Sequence, residues 1–327
     1  MRIRHTLEYG LAQCGMFLLP RLPRSVVVAL ARTFGLLAYL LSAHLRKTGQ
    51  ANLDIAFGAS KTADEKRRIL IHSFQTFALV LLDLFWFAHR QKERINTYVH
   101  FHPEHDELFS KHPKATICVT AHAGNWELLG KSVALRYGHF TSIAAPLENE
   151  KLDLLFDRIR SETGQTIVKK SGAVRAMLKT LRDGGIVAFL LDQNTKPSMG
   201  GIFLDFFGLP VPVSSIGATL VMHTGAQIAF GVCLPDASGH YHVTPPLPIP
   251  TETPRESTKP QQVRILTERI LRVIETFIAE QPEYWLWSYK RWKYTAPGKS
   301  RSDYPFYAKE MLPVDREAAE QTAANLL

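Results

Sequence analysis

Cysteine is scarce in this 327-residue chain: there are three, Cys14, Cys118 and Cys233, far apart and without a Cys-x-x-Cys pair. That spacing excludes a disulfide scaffold and argues against a cysteine-based zinc site. A Gly-x-Ser-x-Gly elbow is also missing, so a serine-hydrolase reading has no nucleophile to act through. The sequence carries no pattern of a DNA- or RNA-binding module, and nucleic acid is not an expected partner. Acidic residues are outnumbered, 30 against 39 basic ones, which leaves a formal charge of +9. This excess favours anionic partners such as lipid headgroups, phosphorylated sugars or an acidic carrier protein. A hydrophobic content of 46% is ordinary for a globular protein, and the length allows one large core or a core with an embellishment.

One apolar run stands out, from Ser25 to Leu45, broken by Arg32 and His44 and flanked by Arg21, Arg24, Arg46 and Lys47. Its length suffices to cross a hydrocarbon layer of about 30 Å. A central arginine costs about 2.5–3.5 kcal/mol on insertion scales, so a helix lying in the interface is a second reading. A buried amphipathic helix of the main domain is a third. A cleaved signal peptide fits poorly, because the run starts late, follows Pro20 and Pro23 and lacks a small-residue cleavage site. The expected division is a membrane-associated helical segment over 1–50, one domain over 51–312 and a mobile polar tail over 313–327.

Beyond Gly58, helical and strand patterns alternate. Thr62-Ala63-Asp64-Glu65 is a capping box that opens a helix running through Leu70, Phe74, Phe77, Leu81 and Phe85. Its aromatic stripe either packs in the core or lines a channel. Strands are expected at 115–120, 142–145, 186–191 and 240–244, and helices at 126–136, 150–163, 173–182, 214–224 and 261–281. Such alternation predicts an α/β fold, a mostly parallel or mixed central sheet flanked by helices. The proline-containing segment 195–212 reads as a loop whose Phe206-Phe207 pair either meets an alkyl chain, dips into lipid or packs rigidly. His240 and His242 alternate like the outward face of a strand and read as a solvated pair.

Chemistry concentrates at Ala121-His122-Ala123-Gly124-Asn125-Trp126-Glu127, where the strand ends and the next helix begins. Gly124 permits a tight turn, Asn125 is a good helix cap, and Glu127 falls in the first helical turn, where the dipole favours a carboxylate. The turn brings His122 and Glu127 together as a base and its orienter, or else His122 ends the strand and Glu127 is a solvated acid. As a dyad, they suit the deprotonation of a hydroxyl that attacks an electrophile.

The same stretch resembles the signature of the bacterial lipid A biosynthesis (lauroyl or myristoyl) acyltransferases, within the wider HxxxxD/E glycerolipid acyltransferase superfamily. Further elements follow in that family's order. Asn52 to Phe57 resembles its Asn-Leu-x-x-x-Phe element, Arg160 with Gly164 its Arg-x-x-x-Gly element, and Asp192-Gln193 its Asp-Gln pair. Phe206-Phe207-Gly208-Leu209-Pro210 and the closing Trp285-Leu286-Trp287 with Lys290-Arg291-Trp292-Lys293 complete the set. Two departures, Ser288-Tyr289-Lys290-Arg291 and Val211 after the Phe-Phe-Gly-x-Pro loop, bear on the acceptor more than on the chemistry.

The resemblance implies a membrane-associated enzyme on the cytoplasmic face of the inner membrane. It implies that His122 is the general base, oriented by Glu127, in acyl transfer from an acyl carrier protein or coenzyme A thioester to a lipid A precursor. Another glycolipid or phospholipid acceptor, or a non-catalytic lipid-binding protein of the same fold, is the alternative. Backbone amides around Gly124 and Asn125, with Arg160, are expected to hold the oxyanion, and Asp192, Gln193 and Arg291 to order the site or bind substrate. Neither metal nor bound cofactor is expected, since the thioester supplies the activated acyl group. The aromatic and basic cluster from Trp285 to Lys293 is expected at a membrane interface or on a phosphorylated headgroup.

Overall fold

A computed structural model of the chain describes residues 2–111, 114–169 and 172–324. Its centre is a six-stranded sheet in the order Leu247–Ile249, Gln227–Phe230, Thr116–Thr120, Ile186–Leu190, Phe140–Ile143 and Gln165–Val168. All neighbours are parallel except the Leu247–Ile249 edge strand, which runs antiparallel to Gln227–Phe230. Helices Ala173–Arg182, Ile216–Thr224 and Lys259–Glu280 cover one face, burying Met177, Leu181, Leu220, Ile270 and Ile274 against Ile117, Val187 and Ile228. Helix Trp126–Tyr137 covers the other. The near-continuous apolar strands of the sequence are those of a sheet covered on both sides.

The face beneath helix Trp126–Tyr137 carries a row of small side chains. Register pairs Ala229 with Cys118, Cys118 with Ala188, and Ala188 with Ser142. Four neighbouring strands thus place two alanines, a cysteine and a serine on one rung, which leaves space under the helix. That space is a cavity of about 230 Å³ with His122 and Glu127 in its wall.

The apolar run 25–45 is not one helix. It forms Arg24–Leu41, breaks at Ser42, and continues as Ala43–Phe57, so the expected boundary at residue 50 falls inside a helix. Arg24, Val27, Val28, Ala31 and Gly35 recur at helical spacing and pack on helix Ala63–Trp86. The crossing is close: a Cβ at Gly35 would lie 2.4 Å from the Gln75 Cα. Arg24 is buried and paired with Asp83 of that second helix. The opposite face, with Phe34, Leu37, Leu40 and Leu41, is exposed, and so are Leu7, Leu11 and Phe17 of helix Arg2–Leu18. The N-terminal helices are therefore both part of the packed fold and the bearers of an exposed apolar face.

Two further expectations are revised. Segment 195–212 is not a loop throughout: Gly201–Phe206 and Leu209–Ser214 form an antiparallel hairpin, turned by Phe207 and Gly208, both at positive φ. Phe206 is fully buried against Trp285 and Trp292 rather than offered to lipid. The tail is not free either. Pro313–Ala324 is a helix whose Asp315 is buried, accepting a hydrogen bond from Ser198 and pairing with Lys196 at 3.2 Å; residues 325–327 lie outside the described residues. The Thr62 capping box is present as expected, and its helix runs to Trp86. Phe74 of its aromatic stripe is buried in the core, and Phe77 stacks on Trp126 at 6.2 Å between centroids.

Candidate active site

His122 and Asp192 stand side by side because their strands do. Thr120 pairs with Leu190 on the last shared rung, and each chain runs two residues further before its functional side chain. The His122 Nδ1–H donates to Asp192 Oδ1 at 2.8 Å, and the His122 backbone N–H donates to Oδ2 at 2.9 Å. Trp285 Nε1–H adds a third bond to Oδ2 at 2.8 Å. Burial alone would raise the Asp192 carboxyl, but the His122 charge and these hydrogen bonds outweigh it and hold the group below the ordinary carboxylate value. With Nδ1 as donor, the His122 Nε2 lone pair is the acceptor, and it takes a hydrogen bond from Gln193 Nε2 at 3.1 Å that an incoming hydroxyl would displace. A tautomer fixed in this way is what a general base requires.

Glu127, expected as the orienter of His122, has a different partner. Arg160 donates to it twice, Nε to Oε2 at 3.0 Å and Nη2 to Oε1 at 2.6 Å. Burial opposes the Glu127 charge, but the two bonds and the adjacent cation keep its carboxyl low, and the Arg160 guanidinium is held high against its own burial. A first-turn side chain lies over the start of its helix, where Arg160 arrives from helix Glu150–Ser161; the end of the neighbouring strand is closer to His122. Both members of the Glu127–Arg160 pair line the same cavity as His122.

The backbone amides of Gly124 and Asn125 are not free for an oxyanion. Gly124 N–H donates to the Tyr284 carbonyl at 3.1 Å and Asn125 N–H to the Cys233 carbonyl at 2.8 Å. Gly124 is a glycine for steric reasons: its φ is +56°, and a Cβ would lie 2.2 Å from the Cys233 oxygen. The Asn125 side chain accepts from Leu128 N–H at 2.9 Å as the helix cap and donates to Asp83 and Tyr241. It is buried and is not among the residues that line the cavity.

The closing segment is likewise an internal part. Trp285, Trp287, Arg291 and Trp292 are all fully buried, so the expected interface cluster is a core. Asn52 donates to the carbonyls of Trp287 and Tyr289, both at 2.7 Å, which ties the upstream element to the closing one. Arg291 Nη1 donates to Asn194 Oδ1 at 3.0 Å and to the Pro212 carbonyl at 3.3 Å; burial lowers its pKa to about 10. Arg291 is not among the residues that line the cavity holding His122. The sequence elements therefore act as a relay of supports, with Asn52 on the Trp287 and Tyr289 carbonyls, Trp285 on Asp192, and Asp192 on His122.

Trp126 was missed as a site residue; its ring meets the His122 ring edge-on at 4.9 Å between centroids and closes one side of the cavity. Cys118 is in the wall too, but burial pushes its thiol up to about 12, which leaves it inert. Among the described residues, no cluster of His, Cys, Asp and Glu fits a metal ion. A histidine base at the mouth of an apolar cavity, with a cation–carboxylate pair beside it, can deprotonate one group while an alkyl chain lies buried.

The profile of the family described as bacterial lipid A biosynthesis acyltransferase matches residues 1–294. A phosphatidylinositol mannoside acyltransferase of Mycobacterium tuberculosis is 30% identical over 111 residues, 33% of this chain and 34% of that protein. Its namesake from Mycolicibacterium smegmatis is 26% identical over 119 residues, 35% and 38% of the two chains. The match thus spans little more than a third of these relatives.

Proposed function

The chain belongs to the bacterial lipid A biosynthesis acyltransferase family, and on that premise we propose that it transfers a fatty acyl group from a thioester to a hydroxyl of a glycolipid, a lipid A precursor. The observation that carries the mechanism is the Asp192–His122 hydrogen bond at the mouth of an apolar cavity. His122 Nε2 takes the acceptor hydroxyl proton as the oxygen attacks the thioester carbonyl. Asp192 stays ionised and stabilises the imidazolium. The tetrahedral intermediate collapses, the carbon–sulfur bond breaks, and His122 returns the proton to the departing thiolate. Arg160, held by Glu127, is the cation in the cavity wall that faces developing negative charge or an acceptor phosphate. The donor is an acyl carrier protein or coenzyme A thioester, which brings its own activated acyl group.

The acyl chain lies in the cavity over the Ala229, Cys118, Ala188 and Ser142 rung. Replacing Ala188 by leucine should fill this space and cut transfer of long chains by roughly tenfold or more, while shorter chains persist. Filling empty space should also keep the stability change below the about 1–3 kcal/mol typical of overpacking. Acyl-length profiling by mass spectrometry beside a thermal melt checks both, and an unaltered profile would remove the acyl chain from this cavity.

The name carried by the relatives favours a second acceptor, a phosphatidylinositol mannoside. Mass spectrometry of total glycolipid from cells with the wild-type chain or His122→Ala, each confirmed at the membrane, decides between them. Loss of one acyl group from lipid A supports the first acceptor. A loss confined to another glycolipid moves the acceptor, and no change in any lipid refutes acyl transfer.

We place the protein on the cytoplasmic face of the inner membrane, where thioester donors and glycolipid precursors meet. Two helices among the described residues, Arg24–Leu41 and Ala63–Trp86, are long and apolar enough to cross a membrane. Both are partly packed in the fold, so attachment through the exposed Phe34, Leu37 and Leu41 face fits better than a span. The double substitution Leu37→Glu with Leu41→Glu should release the protein from vesicles, because a charge in hydrocarbon costs about 2.5–3.5 kcal/mol. Flotation assays read this directly, and continued co-flotation of the variant would count against that face.

A further inference from the structure

The apolar wall of the cavity is interrupted by Gln165 and Ser142. Gln165 lies at the start of the edge strand, is buried, and donates from Nε2 to Ser142 Oγ at 2.7 Å. Its Oε1 is buried without a partner among the described residues. Ser142 Oγ accepts that bond, and no acceptor for its own hydrogen is present among the described residues. One acceptor and one donor are therefore left open side by side. Gly130, on the helix above, keeps them uncovered: a Cβ there would come within 3.3 Å of Gln165 Nε2 and 3.8 Å of Oε1. Turning the Gln165 amide over exchanges donor and acceptor and still leaves one of each.

A buried amide beside a partly buried hydroxyl, with complementary vacancies, calls for a group that both donates and accepts. A hydroxyl does so: it takes the Ser142 hydrogen and gives its own to Gln165. We propose that Gln165 and Ser142 form a hydroxyl-binding subsite for a hydroxylated acyl chain, with the hydroxyl on the distal part of the chain. This rests on the reading above that the acyl chain occupies the cavity.

The position along the chain follows from the sheet. Ser142 shares the rung of Cys118, four residues before His122 and two strands across. At about 3.3 Å per residue and about 4.8 Å per strand, the subsite lies roughly 16 Å from the base. A hydroxyl on the second or third carbon, beside the thioester, does not reach it. A trapped water has the same chemistry and is the other source of a hydroxyl.

The test uses unbranched acyl thioesters of graded length and their ω-hydroxylated counterparts, each on coenzyme A and on an acyl carrier protein, with total glycolipid as acceptor. The wild-type protein should prefer the hydroxylated chain of matching length by about two- to tenfold, the size of one neutral hydrogen bond. Gln165→Leu and Ser142→Ala should each abolish the preference, read as the ratio of hydroxylated to plain chain transferred by the same variant, so that any change in the overall rate drops out. Equal rates for both chains in the wild type, or a preference that survives both substitutions, would overturn the subsite and leave water as its occupant. Consumption of neither chain would instead overturn the acyltransferase reading beneath it.

Discussion

Replacing His122 by alanine should lower acyl transfer by roughly 10²–10⁴, the range of a general base, with little effect on thioester binding. His122 is partly exposed, but its removal leaves the buried Asp192 Oδ1 without its hydrogen-bond donor, so the variant should stay folded with a stability loss of about 1–3 kcal/mol. Loss of activity without loss of fold is the expected combination. Single-turnover transfer from a radiolabelled thioester measures it, and retention of the wild-type rate would remove His122 from the chemistry.

The second large effect separates the two carboxylates. Asp192→Asn should reduce kcat by roughly 10³–10⁴, because an amide opposite Nδ1 presents a donor where an acceptor is needed and favours the wrong imidazole tautomer. Glu127→Gln should cost less and act mainly through KM, since it weakens the hold on Arg160 and leaves the His122–Asp192 bond intact. Steady-state kinetics of both variants, with circular dichroism to confirm folding, set their order. A larger kcat loss at Glu127 would return the orienting role to the residue that the local spacing first suggested.

Glu127 is bonded to Arg160, and Asp192 to His122, for a specific reason. Spacing along the chain reports which side chains share a turn, and His122 and Glu127 do share one. It does not report which strand lies alongside, and Asp192, 70 residues on, arrives by pairing of Thr116–Thr120 with Ile186–Leu190. The closing segment misled in a similar way. Alternating tryptophans and cations have the composition of an interface, yet Trp285, Trp287 and Trp292 are all inside, and the indole N–H of Trp285 supports the carboxylate that orients the base. An indole buried with a partner for its N–H is stable in a core.

The sequence by itself determined the α/β alternation, the capping box at Thr62, the strand that ends at His122 and the helix that Asn125 caps. These are local matters of side-chain period, caps and backbone freedom, set within a few residues. Only the tertiary structure decided that Asp192 holds His122, that Arg160 holds Glu127, and that the Gly124 and Asn125 amides are already bonded. It also aligned Ala229, Cys118, Ala188 and Ser142 on one rung. Those pairings join segments tens of residues apart, and strand order and register, which bring them together, are fixed by burial of the whole sheet and not by any one stretch of chain.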